Sequence, residues 1–151
     1  YGYSCFLLDV LKGVVGVLIG LGFAHQSGID PQALGIAGLL GAIFGHNFSI
    51  FLGFKGGKGV ATTVGGLFAL MWQVMLVGAI LWIITFLISR YVSLASIVLG
   101  LSLPFSALYF NVERSSLGLC IVVALLILVR HRSNIQRLIA GTENRAGGKK
   151  S

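Results

Sequence analysis

Phe54-Lys55-Gly56-Gly57-Lys58-Gly59 is followed directly by an apolar run from Val60 to Ser89. Glycine allows backbone conformations in which several N–H groups point into one concavity, and the lysines add full positive charges. If the apolar run begins as a helix, its free N–H groups add further positive charge at the loop. The stretch is therefore consistent with an anion-binding loop. It is equally consistent with a flexible turn between membrane segments, whose lysines mark the cytoplasmic side.

The length of the apolar run indicates how it folds. It has about 30 residues, whereas one membrane span needs about 20. A single crossing would put Lys55 and Lys58 on the opposite side of the membrane from Arg90. A short helix from Val60 to about Met71, followed by a longer one from Gln73 to Ile88, puts all three on the same side. The positive-inside rule favours this second arrangement, and we expect a half-length helix directly behind the glycine loop.

The composition is that of a membrane protein. Of 151 residues, 56% are hydrophobic and 10% are charged, whereas soluble domains carry about 25% charged residues. We therefore expect an all-α, polytopic membrane bundle of about six membrane-embedded helices, including the short one. It would form one domain over residues 1–145, followed by a disordered basic tail at 146–151. The net charge of +7 is attributed to the positive-inside bias, and we expect no nucleic-acid partner.

The remaining apolar segments predict the other membrane helices. The predicted segments are about Ser4–Ala24, Gln32–Leu52, Val92–Phe110 and Leu117–Val129. The second of them is rich in small residues, Gly35, Gly38, Gly41 and Gly45, of which the last two form a GxxxG pattern, and this predicts close approach of neighbouring helices.

Several polar side chains lie within these apolar segments. Asp9 and Lys12 are one helical turn apart, and a structural ion pair is favoured over a functional role. His46, close to the glycine loop, is expected to be a hydrogen-bonded structural residue. Ser93 and Ser96 either bond back to helix carbonyls or face a polar site.

The segment from Arg130 to Gly141 has the pattern of an amphipathic helix. Arg130, Asn134 and Arg137 share one face, and Gly141 is expected to end the helix. This face either meets anionic lipid headgroups or joins the glycine loop in one polar cluster on the inner face of the membrane.

The polar residues also limit the chemistry. The loop is one residue short of a Walker A motif and lacks its Ser or Thr, no GxSxG motif is present, and no Cys/His spacing suggests a metal site. We expect no metal and no cofactor. The cluster can bind phosphorylated molecules beside lipid. Few of its groups have an obvious nucleophilic role, so it favours direct transfer between two bound substrates.

The longer motifs resemble those of a known enzyme family. The motifs are Gly45-His46-x-x-x-x-Phe51-x-x-Phe54-Lys55-Gly56-Gly57-Lys58-Gly59-Val60-Ala61-Thr62 and His131-x-x-Asn134-Ile135-x-Arg137-x-x-x-Gly141-x-Glu143, with Leu8-Asp9-x-Leu11-Lys12-Gly13 and Tyr91-Val92-Ser93-Leu94-Ala95-Ser96. They resemble the bacterial acyl-phosphate:glycerol-3-phosphate acyltransferases of the PlsY type, over essentially the whole chain up to about Arg145.

The resemblance implies transfer of a fatty acyl group from acyl-phosphate to the 1-hydroxyl of sn-glycerol 3-phosphate, giving lysophosphatidate in phospholipid biosynthesis. It implies a multi-pass protein of the bacterial inner (plasma) membrane, surrounded by lipid, with its site on the cytoplasmic side. The hydroxyl proton could pass to the donor's own phosphate, to His131 or to His46. We expect His131, Asn134 and Lys58 to be catalytic. The expected substrate- and phosphate-binding residues are Lys55, Gly56, Gly57, Lys58, Gly59, Thr62, Ser93, Ser96 and Arg137, and those expected to order the site are His46, Glu143, Asp9 and Lys12.

The chain departs from the family pattern in two places. The family carries a further N-terminal helix and a first motif that nothing here matches, so we expect an N-terminally incomplete chain whose own activity is open. Ser49 stands where a proline is usual. The alternatives are a small anion channel or transporter subunit, or an inactive membrane fragment of the enzyme. The oligomeric state is left open, a monomer included.

Overall fold

The computed structural model describes residues 2–48 and 58–147, and this part of the chain is helical without strands, which confirms the all-α prediction. The helices are α1 (Gly2–Ser27), α2 (Pro31–Asn47), α3 (Val60–Leu70), α4 (Trp72–Ser89), α5 (Val92–Tyr109), α6 (Arg114–Arg130) and α7 (Arg132–Ile139). The first six are mainly apolar and α7 is amphipathic. Three helices, α1, α4 and α5, are long and apolar enough to cross a membrane, and α6 with α7 makes a fourth if this pair, bent by 59°, is one span.

The apolar run after the glycine loop is divided as predicted. Gly59 has φ +75°, a conformation that glycine adopts without the steric cost of a Cβ, and α3 starts at the next residue. Met71, with φ −151° and ψ 71°, separates α3 from α4. The result is an 11-residue helix followed by an 18-residue one.

Helix α2 begins at Pro31, one residue before the predicted start, and ends earlier than expected. The Asp30 carboxylate accepts hydrogen bonds from the N–H groups of Gln32 and Ala33, and Pro31 occupies the first turn. The helix ends at Asn47 rather than Leu52, with Phe48 as its cap.

The helices pack in two groups of three. In the first group, α1 contacts both α2 and α3, and in the second group α5 contacts both α4 and α6. The groups meet through contacts of α3 with α4 and of α2 with α6. One such link is a 2.6 Å hydrogen bond from Gln32 Nε2 to Ser116 Oγ.

Close packing of α1 depends on small residues, but not on the GxxxG pair. A Cβ at Gly13 would overlap the carbonyl of Thr62 in α3, and one at Gly16 would come within 2.7 Å of the Gly38 carbonyl oxygen in α2. At Gly41 and Gly45 a Cβ would have no heavy atom of the described chain within 4 Å. The GxxxG pair therefore makes no close contact within the described chain, and the close approach expected of the small residues of α2 occurs at Gly38.

Helix α7 ends where the sequence predicts but starts later than predicted. It begins at Arg132, because the chain bends at His131 between α6 and α7. At its end, Thr142 N–H donates to the Arg137 carbonyl and Gly141 N–H to that of Leu138. With Gly141 at φ +70°, this is a Schellman motif, which confirms Gly141 as the helix stop.

Candidate active site

A cavity of about 810 Å³ lies between the two helix groups. Both groups, the residues around the α6–α7 bend and the segment after α7 contribute to its wall. Its polar residues include Asp9, His46, Lys58, Ser93, Ser96, His131, Asn134 and Glu143, and its apolar residues include Phe6, Val60, Val64, Met75, Ala79, Trp82, Ile83, Val92 and Leu99. The cavity therefore combines a charged and hydrogen-bonding part with a wall suited to a hydrocarbon chain.

Lys58, Asn134 and Glu143 form a connected network in this cavity. Lys58 Nζ donates to Asn134 Oδ1, and Asn134 Nδ2 donates to Glu143 Oε1 at 2.6 Å. Ser93 Oγ donates to the same carboxylate oxygen at 2.7 Å, and Arg137 Nε lies 2.6 Å from Oε2. Glu143 thus joins α5 to α7 and fixes the Asn134 amide with its oxygen towards Lys58.

The surroundings of Glu143 and Lys58 lower the pKa of both side chains, for different reasons. Burial alone would raise the pKa of Glu143, but hydrogen bonds from Asn134, Ser93 and Arg137, with the charge of Arg137, lower it overall. Partial burial lowers the pKa of Lys58, and Glu143 opposes this shift while Arg137 and Arg130 add to it. Burial and the two arginines destabilise the charged form of Lys58, which a bound phosphate would stabilise.

His131 lies just beyond the end of α6, and its tautomer follows from its partner. Its Nδ1 is 2.8 Å from the carbonyl oxygen of Ile127, which can only accept, so Nδ1 carries the proton. Burial lowers the pKa of His131, and the hydrogen bond to Ile127 only partly opposes this effect. A neutral ring with Nε2 as a proton acceptor is therefore the favoured state.

Ser96 is held by two neighbours. Its hydroxyl donates to the Val92 carbonyl at 2.9 Å and lies 3.3 Å from Trp82 Nε1, which donates to it. One acceptor position on the oxygen remains, because a hydroxyl has two lone pairs and one hydrogen. The sequence left open whether Ser96 bonds back to its helix or faces a polar site, and it does both.

The Asp9 carboxylate connects α1 to α2. Its Oδ1 lies 3.0 Å from Lys12 Nζ and 3.2 Å from His46 Nδ1. The Asp9–Lys12 ion pair confirms the expected pairing, with the Lys12 side chain 59% exposed. His46 thus has a carboxylate partner, and its role in ordering the site stays a prediction.

Two expected binding residues do not line the cavity. Thr62 is fully buried where α3 meets α1, and its hydroxyl has no hydrogen-bond partner among the described residues. The Arg137 side chain forms an ion pair with Glu143 and so helps to order the segment after α7. Lys55, Gly56 and Gly57 lie outside the described residues, so of the expected phosphate loop only Lys58 and Gly59 are seen at the cavity.

Some cavity residues were not identified from the sequence. Trp82 was not predicted to line the cavity. A tryptophan in an apolar helix carries an N–H that needs a hydrogen-bond partner, and this could have indicated a nearby polar group. Asn144, Arg145 and Ala146 were not expected at the cavity, and no local pattern shows that the chain turns back after Gly141. Asn47 is also buried, packing on Gly59 through its amide.

This arrangement can bind an anion and position an apolar chain beside it. In the described ranges, no three His, Cys, Asp or Glu side chains are grouped as metal ligands. Lys58 supplies positive charge, Asn134 and Ser96 supply fixed dipoles, and His131 supplies a neutral nitrogen. These groups suit reactions that depend on positioning and charge stabilisation.

Comparison with known proteins identifies the family. The family model described as glycerol-3-phosphate acyltransferase matches residues 1–141. A glycerol-3-phosphate acyltransferase of Mesorhizobium japonicum is 45% identical over 146 residues, which cover 97% of this chain and 71% of that protein. One from Carboxydothermus hydrogenoformans is 44% identical over 143 residues, which cover 95% and 70%.

Two solved structures share the fold. A crystal structure of PlsY (YgiH), an integral membrane glycerol 3-phosphate acyltransferase in its glycerol 3-phosphate form, matches with a TM-score of 0.87 and 41% identity, covering 97% of this chain and 72% of that one. The lysophosphatidic acid form of PlsY matches with a TM-score of 0.86 and 41% identity, covering 97% and 73%. This chain therefore belongs to the glycerol-3-phosphate acyltransferase family of membrane enzymes.

Proposed function

We propose that the cavity between the helix groups transfers a fatty acyl group from acyl-phosphate to the 1-hydroxyl of sn-glycerol 3-phosphate. The observation that carries the proposal is one continuous cavity that joins the Lys58–Asn134 network to an apolar wall. An acyl-phosphate has the matching chemistry, with a charged phosphate at one end and a hydrocarbon chain at the other. The PlsY structures with glycerol 3-phosphate and lysophosphatidic acid support this choice of acceptor and product.

The residues divide between the two parts of this donor. Lys58 would neutralise phosphate charge, and Gly59 with Lys55, Gly56 and Gly57, of which the last three lie outside the described residues, are further proposed ligands. The apolar side chains of α3 and α4, such as Val64 and Met75, would contact the acyl chain. Binding the phosphate at Lys58 places the activated carbonyl at the boundary between the two parts.

The reaction needs no covalent enzyme intermediate, because acyl-phosphate is already activated. The hydroxyl oxygen of glycerol 3-phosphate forms a bond to the carbonyl carbon, and the bond from that carbon to the phosphate oxygen breaks. Phosphate leaves, and the hydroxyl proton goes either to it or to Nε2 of His131. Lys58 and Asn134 stabilise charge on the departing phosphate, while Ser96 and His131 position the acceptor.

We further propose that the site faces the cytoplasm in the bacterial inner membrane and that residues 1–145 act as one domain. The orientation is supported by the distribution of positive charge. Lys58, Arg90, Arg130 and Arg137 lie at ends of segments that the positive-inside rule assigns to the cytoplasmic side. A membrane-impermeant maleimide should label Arg90→Cys from the cytoplasmic side only, in a background with both native cysteines replaced. Labelling from the outer side would contradict this orientation.

The activity is tested with purified protein in lipid vesicles, radiolabelled glycerol 3-phosphate and palmitoyl phosphate. We expect labelled lysophosphatidate without ATP or a metal salt. Lys58→Met should lower the rate, whereas Arg114→Met, which removes an exposed positive charge outside the cavity, should leave it nearly unchanged. Anion flux through the vesicles with no labelled lipid would instead support the channel alternative and contradict the proposal.

A further inference from the structure

The segment after α7, which we name the strap (residues 142–147), closes one side of the cavity. It has no regular secondary structure, and the family model ends before it, at residue 141. Nevertheless Glu143, Asn144, Arg145 and Ala146 all line the cavity. Something other than helix or sheet bonding must hold this backbone in place.

At its start the strap is held by Glu143. The carboxylate accepts hydrogen bonds from Ser93 in α5 and from Asn134 and Arg137 in α7. Its side chain is only 7% exposed. These bonds fix one point of the strap, but a six-residue segment fixed at one point can still swing away from the cavity.

At its other end the strap is attached to the turn between α4 and α5. Ala146 N–H donates to the Arg90 carbonyl at 2.9 Å, and Arg145 Nε donates to the Ser89 carbonyl at 3.3 Å. The Arg145 guanidinium also lies 5.5 Å from the centroid of the Tyr91 ring. These contacts, which we name the clip, involve no residue of the Lys58–Asn134–Glu143 network.

In the clip, the strap donates hydrogen bonds to backbone carbonyls that the α4–α5 turn exposes. Arg90 adopts φ +60°, a left-handed conformation unusual for a residue other than glycine, and it caps α4. Carbonyls at the end of a helix lack partners within it. Ser89 and Arg90 are such residues, and the strap supplies their donors.

We propose that Arg145 is a positioning residue. With Tyr91 it clips the strap across the cavity, so that Glu143 holds Asn134 in register with the acyl donor and bulk water is kept from the donor carbonyl. This inference rests on the proposed acyl transfer. The competing reaction is defined: water attacking the same carbonyl carbon would displace phosphate and release free fatty acid. A loosened strap should therefore change the partition between transfer and hydrolysis.

Two pairs of variants test the clip. Arg145→Gln removes the charge and Arg145→Lys keeps it, while Tyr91→Leu removes the aromatic ring and Tyr91→Phe keeps it. For Arg145→Gln and Tyr91→Leu we expect kcat/KM for acyl transfer to fall about three- to tenfold, with more fatty acid released per lysophosphatidate formed. Tyr91→Phe should match the wild type, and Arg145→Lys should recover part of the loss.

Amide hydrogen exchange gives a readout that does not require activity. Exchange at the strap, including the Ala146 amide, should rise at least threefold in Arg145→Gln and Tyr91→Leu, while exchange in α1 and α2 stays unchanged. A strap with only a structural role would lower transfer and hydrolysis together and leave their ratio constant.

The outcomes are distinguishable. If the wild type transfers acyl groups but both partition ratio and strap exchange are unchanged in the variants, the clip inference is overturned and the proposed function stands. A loss in Arg145→Gln that Tyr91→Leu does not reproduce would also overturn it, because it would indicate direct contact of Arg145 with substrate. A wild type without transfer activity would overturn the proposed function and the positioning role with it.

Discussion

Glu143→Gln tests the network that holds Asn134, because it keeps the size of the side chain and removes its charge. The carboxylate accepts two hydrogen bonds at Oε1, from Ser93 and Asn134, and one at Oε2, from Arg137. Glutamine offers one acceptor oxygen and one donating amide. The oxygen would face the two donors, and the amide would face the Arg137 N–H, which it cannot bond.

The expected cost follows from these contacts. Two bonds to a charged acceptor become bonds to a neutral one, a loss of about 1 kcal/mol each. The Arg137 pair is lost as well, but the arginine side chain is 43% exposed, so solvent reduces that share to about 0–1 kcal/mol. The total of about 2–3 kcal/mol corresponds to a fall in Tm of about 4–12 °C for a chain of this length.

Thiol reactivity provides the assay. Cys120 is fully buried and becomes reactive on unfolding, whereas Cys5 is exposed and should be replaced by serine in all variants. Glu113→Gln is the matched control, because Glu113 is exposed and, within residues 2–48 and 58–147, its side chain has one hydrogen bond, a 3.5 Å contact with Ser115. Its effect should stay within about 0.5 kcal/mol.

The pH dependence gives a second check on the same variant. Because the folded-state pKa of Glu143 is lowered, its stabilisation is fully present above the unfolded-state pKa and is lost as pH falls through the folded value. The difference in Tm between wild type and Glu143→Gln should therefore be greatest near neutral pH and shrink as pH is lowered below about 4. A Tm change at neutral pH no larger than that of Glu113→Gln would refute the reasoning.

Three further predictions concern the cavity. Lys58→Met should lower kcat/KM about 10- to 150-fold by removing a charged hydrogen-bond donor to phosphate and the donor to Asn134, and Lys58→Arg should recover part of it in the same labelled-acceptor assay. His131 must be neutral to accept a proton, and its pKa is lowered by burial. If His131 is the proton acceptor, kcat/KM should therefore stay constant as the pH is lowered past about 6.5 and fall only at more acidic pH. His131→Gln would remove that acid limb, and an unchanged profile would assign the proton to the phosphate. Trp82→Phe removes the donor to Ser96 but keeps a ring, so we expect kcat/KM about 2- to 10-fold lower, with no further loss when Ser96→Ala is added; full additivity would contradict coupling of the pair.

Local sequence signals were sufficient where the physics is local. Gly141 was predicted to end α7 and does so, because a positive φ angle at the end of a helix depends on a few neighbouring residues. The split near Met71 followed from comparing the length of an apolar run with membrane thickness and from charge parity. The motif around Lys58 and the one from His131 to Glu143 likewise contain residues that the structure brings to one cavity, among them Lys58, His131, Asn134 and Glu143.

Long-range packing could not be predicted from these signals. The GxxxG pattern at Gly41 and Gly45 indicates that two helices can approach, but which glycine meets a partner depends on how α1 crosses α2. Thr62 belongs to the same motif as Lys58, yet the rotation of α3 turns it towards α1 and away from the cavity. The rotation of a helix about its axis depends on all of its contacts together, so it cannot be predicted from a single motif.

By itself the sequence determined an all-α membrane protein of the acyltransferase family, with a basic glycine loop before a short helix. Apolar length, charge asymmetry and motif spacing are properties of the chain, and they hold whatever the packing. Only the tertiary structure decided that Arg137 binds Glu143 instead of lining the cavity, that Trp82 donates to Ser96, and that the strap returns to the α4–α5 turn. These contacts join residues from different segments, and they arise only when the two helix groups pack around the cavity.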